Sequence, residues 1–322
     1  MTNHTKAVHC KKVKADIYIG RGSRFGNPFP LHDESMRDGV IQQFSDWIIH
    51  QPELLRLVRQ LLSGKTLGCF CAPKACHGDV LAAIADGHWD HAIPEPPVFV
   101  YGSNRMGING KGAVKGVARG LNGNAYAIPT KDEQLSTLPI NAIREEVDQF
   151  IDHARRHPEV SFLLTRIGCG LAGYTDQDIA PFFKHASANI MQPGLWLTLN
   201  HAIDEKRIIV AGGRDFKDYA YLSRKLDKLL GNLDPKSIVI VSGGATGADT
   251  LGERYCIERG YRLRRFPAEW ESLGKPAGHL RNQLMAHFAT HLVAFWDGMS
   301  RGTGSMISIG EGCQLNTRVC RY

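Results

Sequence analysis

A chain of 322 residues with 43% hydrophobic and 22% charged residues has the composition of an ordinary soluble globular protein with room for two or three cores. Lysines open the sequence with no apolar segment behind them, and no run reaches the length of a bilayer span. A secretory signal and a membrane anchor are therefore not expected, and a cytoplasmic protein is (host cytoplasm, if the source is viral). Net charge is +7, concentrated in residues 204–322, which carry 18 Lys and Arg against 13 Asp and Glu. Arg254, Arg259, Arg262, Arg264 and Arg265 cluster there, as a face for nucleic acid or a polyanionic small ligand, or as a solubilising surface.

Pro94-Glu95-Pro96-Pro97 and the polar Asn200–Lys206 stretch divide the chain into segments 1–95, 96–203 and 204–322. In the first, Asp16–Gly20 reads as a short strand, followed by a loop over Arg21–Phe29. Val40, Phe44, Trp47 and Ile48, then Leu54, Leu57, Val58 and Leu61 after Pro52, recur at helical spacing. Lys65–Cys71 reads as a second strand, leading to a helix through Ala85. The middle segment alternates strands at Val98–Tyr101, Ala125–Ile128, Ser161–Leu164 and Leu195–Leu199 with helices near Gly112–Arg119, Ile140–Arg156 and Asp176–Ala188. In the last, Ile238-Val239-Ile240-Val241 and His291–Trp296 are unbroken apolar runs, as in strands of a parallel sheet buried on both faces. The fold class is α/β: three small three-layer domains, the last a Rossmann-like doubly wound parallel sheet.

The chemistry lies where these strands end. Ile238–Val241 empties into Ser242-Gly243-Gly244-Ala245-Thr246-Gly247-Ala248-Asp249, and His291–Trp296 leads to Arg301-Gly302-Thr303-Gly304. Glycines let backbone amides approach a ligand, and the following helix offers its positive N-terminus, which together predict a nucleotide pocket at the carboxyl edge of the sheet. In the first segment, the turn from Gly20 to Asn27 reads as an anion contact through Arg21 and Asn27, or as a surface loop. Cys69, Cys71, Cys76 and His77 have the residue types of a zinc site. Two other readings stand beside it: a Cys76 thiol activated at a helix N-terminus, or small side chains buried at a strand end. Eight cysteines, three of them so crowded, read as reduced thiols and not as a disulfide framework.

Residues 13–88 resemble a small domain family that pairs an Ile-Gly-Arg…Phe-Gly-Asn-Pro loop with a Cys-x-Cys-x-Pro…Cys-His-Gly-Asp loop; the resemblance implies a shared pocket and no particular reaction. In the middle segment, Tyr101–Gly112 and Thr165–Tyr174 each follow a strand. The pattern resembles macro domains, which implies ADP-ribose binding by Asn104, Gly110 and Gly112, with Lys111 between them, and by Gly168, Gly170, Leu171, Gly173 and Tyr174. The family's adenine-holding Asp-Ile-Thr start is absent before Val98, so Lys131 and Asp132 are the substitutes considered.

The last segment resembles the SLOG superfamily, which includes Lonely Guy phosphoribohydrolases and DNA-processing protein A. The match rests on Val210–Phe216 with Gly212, Gly213, Arg214 and Asp215, on Gly243, Gly244, Gly247 and Asp249, on Arg281 and Asn282, and on Gly302-Thr303-Gly304. It implies a nucleotide over the glycine loops with Arg214 and Arg281 near its phosphates, and a tendency to pair as a homo-oligomer. Hydrolases of the group use a Pro-Gly-Gly-x-Gly-Thr-x-x-Glu motif. Met306 or Ile307 stands here in place of that Glu, and Glu311 lies more than a helical turn away. Asp249 and Glu269, with Asn104 in the middle segment, remain as catalytic candidates.

The first expectation is a binder, sensing or sequestering NAD-derived or ADP-ribose-type nucleotides. A macro-like domain joined to a SLOG domain is similar to the nucleotide-signalling systems of bacterial and phage conflict. The rivals are a nucleotide hydrolase cleaving an N-glycosidic or phosphoester bond, and a nucleic-acid handler.

Overall fold

The computed structural model describes residues 4–93, 95–107, 119–122, 125–201 and 205–322. Two compact units result: Met1–Pro94 with Glu205–Ala286 and Thr290–Tyr322, and Glu95–Asp204 with His287–Ala289. The first and last thirds of the chain thus belong to one unit.

The N-terminal part holds a small parallel sheet of β1 (Lys6–His9), β2 (Ile17–Tyr18) and β3 (Thr66–Cys69), with β3 central, and helices α1 (Arg37–Ile48), α2 (Pro52–Leu62) and α3 (His77–Ala85). The expected strands are present but shorter than predicted, and β1 is an addition. Pro52 opens α2, where its missing N–H costs nothing. Val40, Phe44, Trp47 and Ile48 are buried as their spacing predicts.

The second unit contains β4 (Val98–Asn104), β5 (Gly120–Asn122), β6 (Ala125–Lys131), α4 (Ile140–Arg156), β7 (Phe162–Leu164), α5 (Asp176–Ile179), β8 (Ile190–Met191) and α6 (Gly194–His201). Its sheet runs β5-β6-β4-β7-β8, parallel except for β5. Two expectations are corrected here. The strand expected at Leu195–Leu199 is helix α6. Its alternating pattern is overridden by tertiary packing, since buried Trp196 stacks on Phe183 and donates to Asp176 Oδ1 at 2.5 Å. The helix expected over Asp176–Ala188 is only α5, tightening into a 3-10 turn at Ala180–Phe183 around Pro181. The helix expected near Gly112–Arg119 falls almost wholly outside the described residues.

The C-terminal part holds β9 (Lys206–Gly212), α7 (Tyr219–Leu230), β10 (Ile238–Ser242), α8 (Ala248–Glu258), β11 (Arg262–Arg265), α9 (Trp270–Leu273), α10 (Ala277–Phe288), β12 (His291–Trp296), α11 (Arg301–Gly312) and β13 (Asn316–Arg321). All five strands are parallel, in the order β11-β10-β9-β12-β13. This is a doubly wound sheet whose chain reverses direction between β9 and β12, and such a reversal opens a crevice at the carboxyl ends of those strands.

One core joins this sheet to the N-terminal helices, with Phe44, Trp47 and Leu62 in the same buried cluster as Ile240, Tyr255 and Leu263. The edge strand β11 is closed by side chains. Gln51 donates to the Leu263 carbonyl at 3.1 Å and accepts the Arg265 amide at 2.9 Å, and the Trp47 indole donates to the same carbonyl at 3.1 Å. Gln51 thereby satisfies backbone groups that a neighbouring strand would otherwise pair.

Candidate functional site

At the reversal between β9 and β12, Gly212 sits where β9, β12 and α8 come together. A Cβ there would run into Phe295 and Ala248. The Ala248 amide donates to the Gly213 carbonyl at 3.2 Å, so the first glycine turn buttresses the start of α8. Gly247 has φ +84 and lies against the backbone of Gly213 and Arg214. On the other side of the crevice, Asp297 Oδ1 accepts the amides of Met299 (2.9 Å) and Ser300 (2.8 Å), turning the chain into α11. Gly302, Thr303 and Gly304 form that helix's first turn, with Thr303 buried and 3.1 Å from Ser300 Oγ. Arg214 and Asp215 are exposed, and Asp215 accepts from the Tyr322 hydroxyl at 3.3 Å.

Asp249 occupies the centre of the long glycine turn. Its Oδ2 accepts the amides of Gly243 (3.1 Å) and Ala245 (3.4 Å), while the Gly244 amide donates to Ser242 Oγ at 3.0 Å. These amides, expected from the sequence to face a ligand, are thus engaged inside the protein. Burial pushes the Asp249 carboxyl up to about 6, against the opposing pull of Arg281. Arg281 donates to the Gly243 carbonyl and, through Nε, to Asn282 Oδ1 at 2.9 Å. Met306 and Ile307 are buried in α11, and Glu311 is exposed on it.

A cavity of about 370 Å³ opens beside this turn, between the N-terminal loop and α8. Arg21, Ser23 and Asn27 line it from one side, Gly244, Thr250, Glu253 and Arg254 from the other. Its floor is a buried network that sequence reasoning missed. Arg265 pairs with Glu253 and donates to the Gly26 carbonyl at 3.0 Å, and Glu253 accepts from Ser242 Oγ at 2.7 Å. The available signal was a charged residue at the carboxyl end of a parallel strand and another four residues after Asp249 on α8. Asn27 also has a local duty, accepting the Phe29 amide at 2.9 Å.

Arg21 and Asn27 border a second cavity, of about 340 Å³, which contains the cysteines. Cys69, Cys76 and His77 are all buried, and one ligand atom from each lies within 4.8 Å of the others. Cys71 stands outside this trio, half-buried at the cavity rim. Cys76 caps α3, its sulfur accepting the Gly78 amide at 3.2 Å and its own amide donating to Asp79 at 2.8 Å. A hydrogen bond from Cys76 pulls the Cys69 thiol well below its ordinary value, and holding that proton pushes Cys76 up. Burial lowers the His77 pKa, leaving the ring neutral near pH 7.

In the second unit, the parallel strands bring Asn104 and Lys131 to one sheet edge, with Asn104 buried. Asp132 folds its own turn, accepting the amides of Gln134 (2.9 Å) and Ser136 (2.8 Å). The glycine turn has positive φ at Gly168 and Gly173, carries Leu171 94% exposed at its tip, and leaves Gly170 facing open space. Tyr174 donates to the Leu138 carbonyl at 2.7 Å, tying this turn to the loop after β6. Gly110, Lys111 and Gly112 lie outside the described residues.

Each clustered arginine meets a carboxylate: Arg254 with Glu258, Arg259 with Asp227, Arg262 with Glu205, Arg264 with Glu53, and Arg265 with Glu253. No helix among the described residues is long and apolar enough to cross a membrane.

Comparison with known proteins adds the family. Residues 2–87 match a domain of unknown function (DUF4326), and residues 206–272 match the YspA, cpYpsA-related SLOG family. The chain is similar to the uncharacterized 12.4 kDa protein in the nrdA-td intergenic region of Enterobacteria phage T4, at 35% identity over 95 residues, 27% of this chain and 87% of the relative. It is also similar to the gene 61 protein of Mycobacterium phage D29, at 34% identity over 104 residues, 30% of this chain and 82% of the relative. No solved structure matches significantly. A SLOG domain points to nucleotide-related binding or processing. The chain thus belongs to one family with these two phage proteins, its residues 2–87 matching the DUF4326 model and its residues 206–272 the YspA, cpYpsA-related SLOG model.

Proposed function

We propose that this protein binds a nucleotide-type small molecule, NAD-derived or of the ADP-ribose type, at the carboxyl edge of its C-terminal sheet, and senses or sequesters it. The observation that carries the reading is the convergence of the Gly212-Gly213 turn, the Gly243–Gly247 turn and the first turn of α11 on the crevice between β9 and β12. Arg214, Arg281 and the N-terminus of α11 are the groups that would meet phosphate there. The second unit, read as macro-like, would add an ADP-ribose site at its Gly168–Tyr174 turn. Phage relatives fit a role in nucleotide-signalling conflict, where sequestration needs no catalytic acid.

A second reading, hydrolysis, is favoured by one observation: the Asp249 carboxyl, raised to about 6, can hold or release a proton near neutral pH beside the turn. Mass spectrometry separates the two. Protein denatured as purified is searched for released nucleotide, and fresh protein is incubated with NAD, ADP-ribose, cyclic ADP-ribose and nucleoside monophosphates. An unchanged bound nucleotide with an intact panel supports the binder, and free base with ribose phosphate supports the hydrolase. If nothing binds and nothing turns over, the nucleotide reading fails.

A further inference from the structure

We propose that Cys69, Cys76 and His77 form a zinc site with one coordination position open to the neighbouring cavity. Two thiolates and an imidazole are the donors that borderline-soft zinc prefers. Their donor atoms lie within 4.8 Å of one another. Tetrahedral zinc with bonds of about 2.3 Å to sulfur and about 2.0 Å to nitrogen sets the sulfurs roughly 3.8 Å apart and each sulfur roughly 3.6 Å from the nitrogen, so the donors need close by little more than ~1 Å.

The backbone fixes all three. Cys69 is the last residue of β3, the central strand of its sheet, while Cys76 caps α3 and His77 is that helix's first residue. The outer shell is that of a metal site. His77 Nε2 lies 2.9 Å from the Ile19 carbonyl, which can only accept, so Nε2 carries the proton and Nδ1 keeps the lone pair. Ligating histidines are oriented by such a bond to the other ring nitrogen. The Gly78 amide, 3.2 Å from Cys76 Sγ, would stabilise charge on that sulfur.

Three protein donors leave one tetrahedral position, and all three residues line the cavity of about 340 Å³, which Arg21 also lines, while Arg37 at the same cavity is held by Glu34 and the Ala75 carbonyl. The Arg21 guanidinium there suits hydroxide or a small anion as the fourth ligand. Zinc sites with three protein ligands and an exchangeable fourth are the kind that polarise a substrate, whereas structural sites are closed. This inference stands apart from the nucleotide reading and uses none of its phosphate contacts.

The test is metal analysis of the full chain, purified without chelators and then reconstituted with zinc or cobalt(II). The expected result is one equivalent of zinc, lost in Cys69→Ser and in His77→Asn and kept in Cys71→Ser. Cobalt-loaded protein should show the intense visible bands of a tetrahedral site with thiolate charge transfer, and azide should shift them. Absence of bound metal after reconstitution, or cobalt bands without thiolate character, overturns the site even if the variants do not fold. Loss of zinc in Cys71→Ser, with a cobalt spectrum indifferent to azide, overturns the open position.

Discussion

Arg265 and Glu253 form a buried ion pair, with Nη2 2.5 Å from Oε2 and Nε 2.9 Å from Oε1, at the point where the N-terminal loop meets the glycine turn of the C-terminal sheet. The pair extends in both directions, to the Gly26 carbonyl through Arg265 and to Ser242 and the Gly244 amide through Glu253. One hydrogen-bond network therefore spans segments more than two hundred residues apart in sequence. Satisfied in a low-dielectric interior, it fixes their relative geometry; half-satisfied, it becomes a liability.

Removing one partner should unfold both parts together. Arg265→Ala leaves Glu253 buried without its cation, a loss of about 3–5 kcal/mol. Calorimetry should show the transition of the first unit moving down as a single event. A first transition for residues 1–94 alone, with the C-terminal sheet unaffected, would contradict the shared unit.

Asp249 sets a pH dependence whose direction follows from its raised pKa. The folded protein keeps the proton up to about 6, the unfolded chain only to the ordinary value of 3.8. The contribution is therefore stabilising and complete below the unfolded value, and it is lost as pH rises through the folded one. Asp249→Asn lacks this dependence, so wild-type stability should fall relative to the variant, by roughly 2–3 kcal/mol, between about pH 4 and pH 7. Urea midpoints at the two pH values check this. A phosphate beside the turn would hold the proton more tightly still. Titration calorimetry of a bound nucleotide in buffers of different ionisation enthalpy should then report proton uptake.

Gly243 is the member of the turn that lies directly against Arg281. A Cβ there would fall on the Arg281 guanidinium and against Asp249. Gly243→Ala should displace Arg281 and weaken nucleotide affinity about 10–100-fold, the cost of one charged contact, while circular dichroism stays native. Unchanged affinity would remove Arg281 from the phosphate contacts.

Much of the sheet was legible because a buried parallel strand has few disguises: Ile238–Val241 and His291–Trp296 are strands, and the turns after them open helices. Leu195–Leu199 misled because its alternation imitates a strand while Trp196 answers to Phe183 and Asp176, contacts that no local pattern reveals. The clustering of Cys69, Cys76 and His77 could be suspected from spacing, but the exclusion of Cys71 depends on where β3 ends. Least legible was the joining of the first and last thirds, in which a shared core is completed by Gln51 acting as a surrogate strand for β11. A single polar side chain carries no sequence signal of that kind.

In the second unit, Leu171 offers a clean probe of the ADP-ribose reading. It is 94% exposed, so Leu171→Asp should change stability by no more than about 0.5 kcal/mol. If the glycine turn holds a diphosphate, the new carboxylate should lower ADP-ribose affinity several-fold, and less so at high salt. Equal affinity in the two proteins at low salt would take the diphosphate away from this turn.

The arginine cluster decides how far nucleic acid remains a rival. A count of charges gives residues 204–322 a basic excess, yet Arg254, Arg259, Arg262, Arg264 and Arg265 each face a carboxylate, and two of these pairs are buried or nearly so. Phosphate contacts would have to displace those carboxylates, so counterion release should be small. Duplex DNA should bind no more tightly than the ~10⁻⁴–10⁻⁶ M of ordinary non-specific association at physiological salt, with a shallow salt slope. Freeing two of the cations tests the reason as well as the result: Asp227→Asn with Glu258→Gln should steepen that slope and tighten binding. Wild-type protein that already binds duplex at nanomolar concentration with a steep slope would make nucleic acid the ligand of this domain.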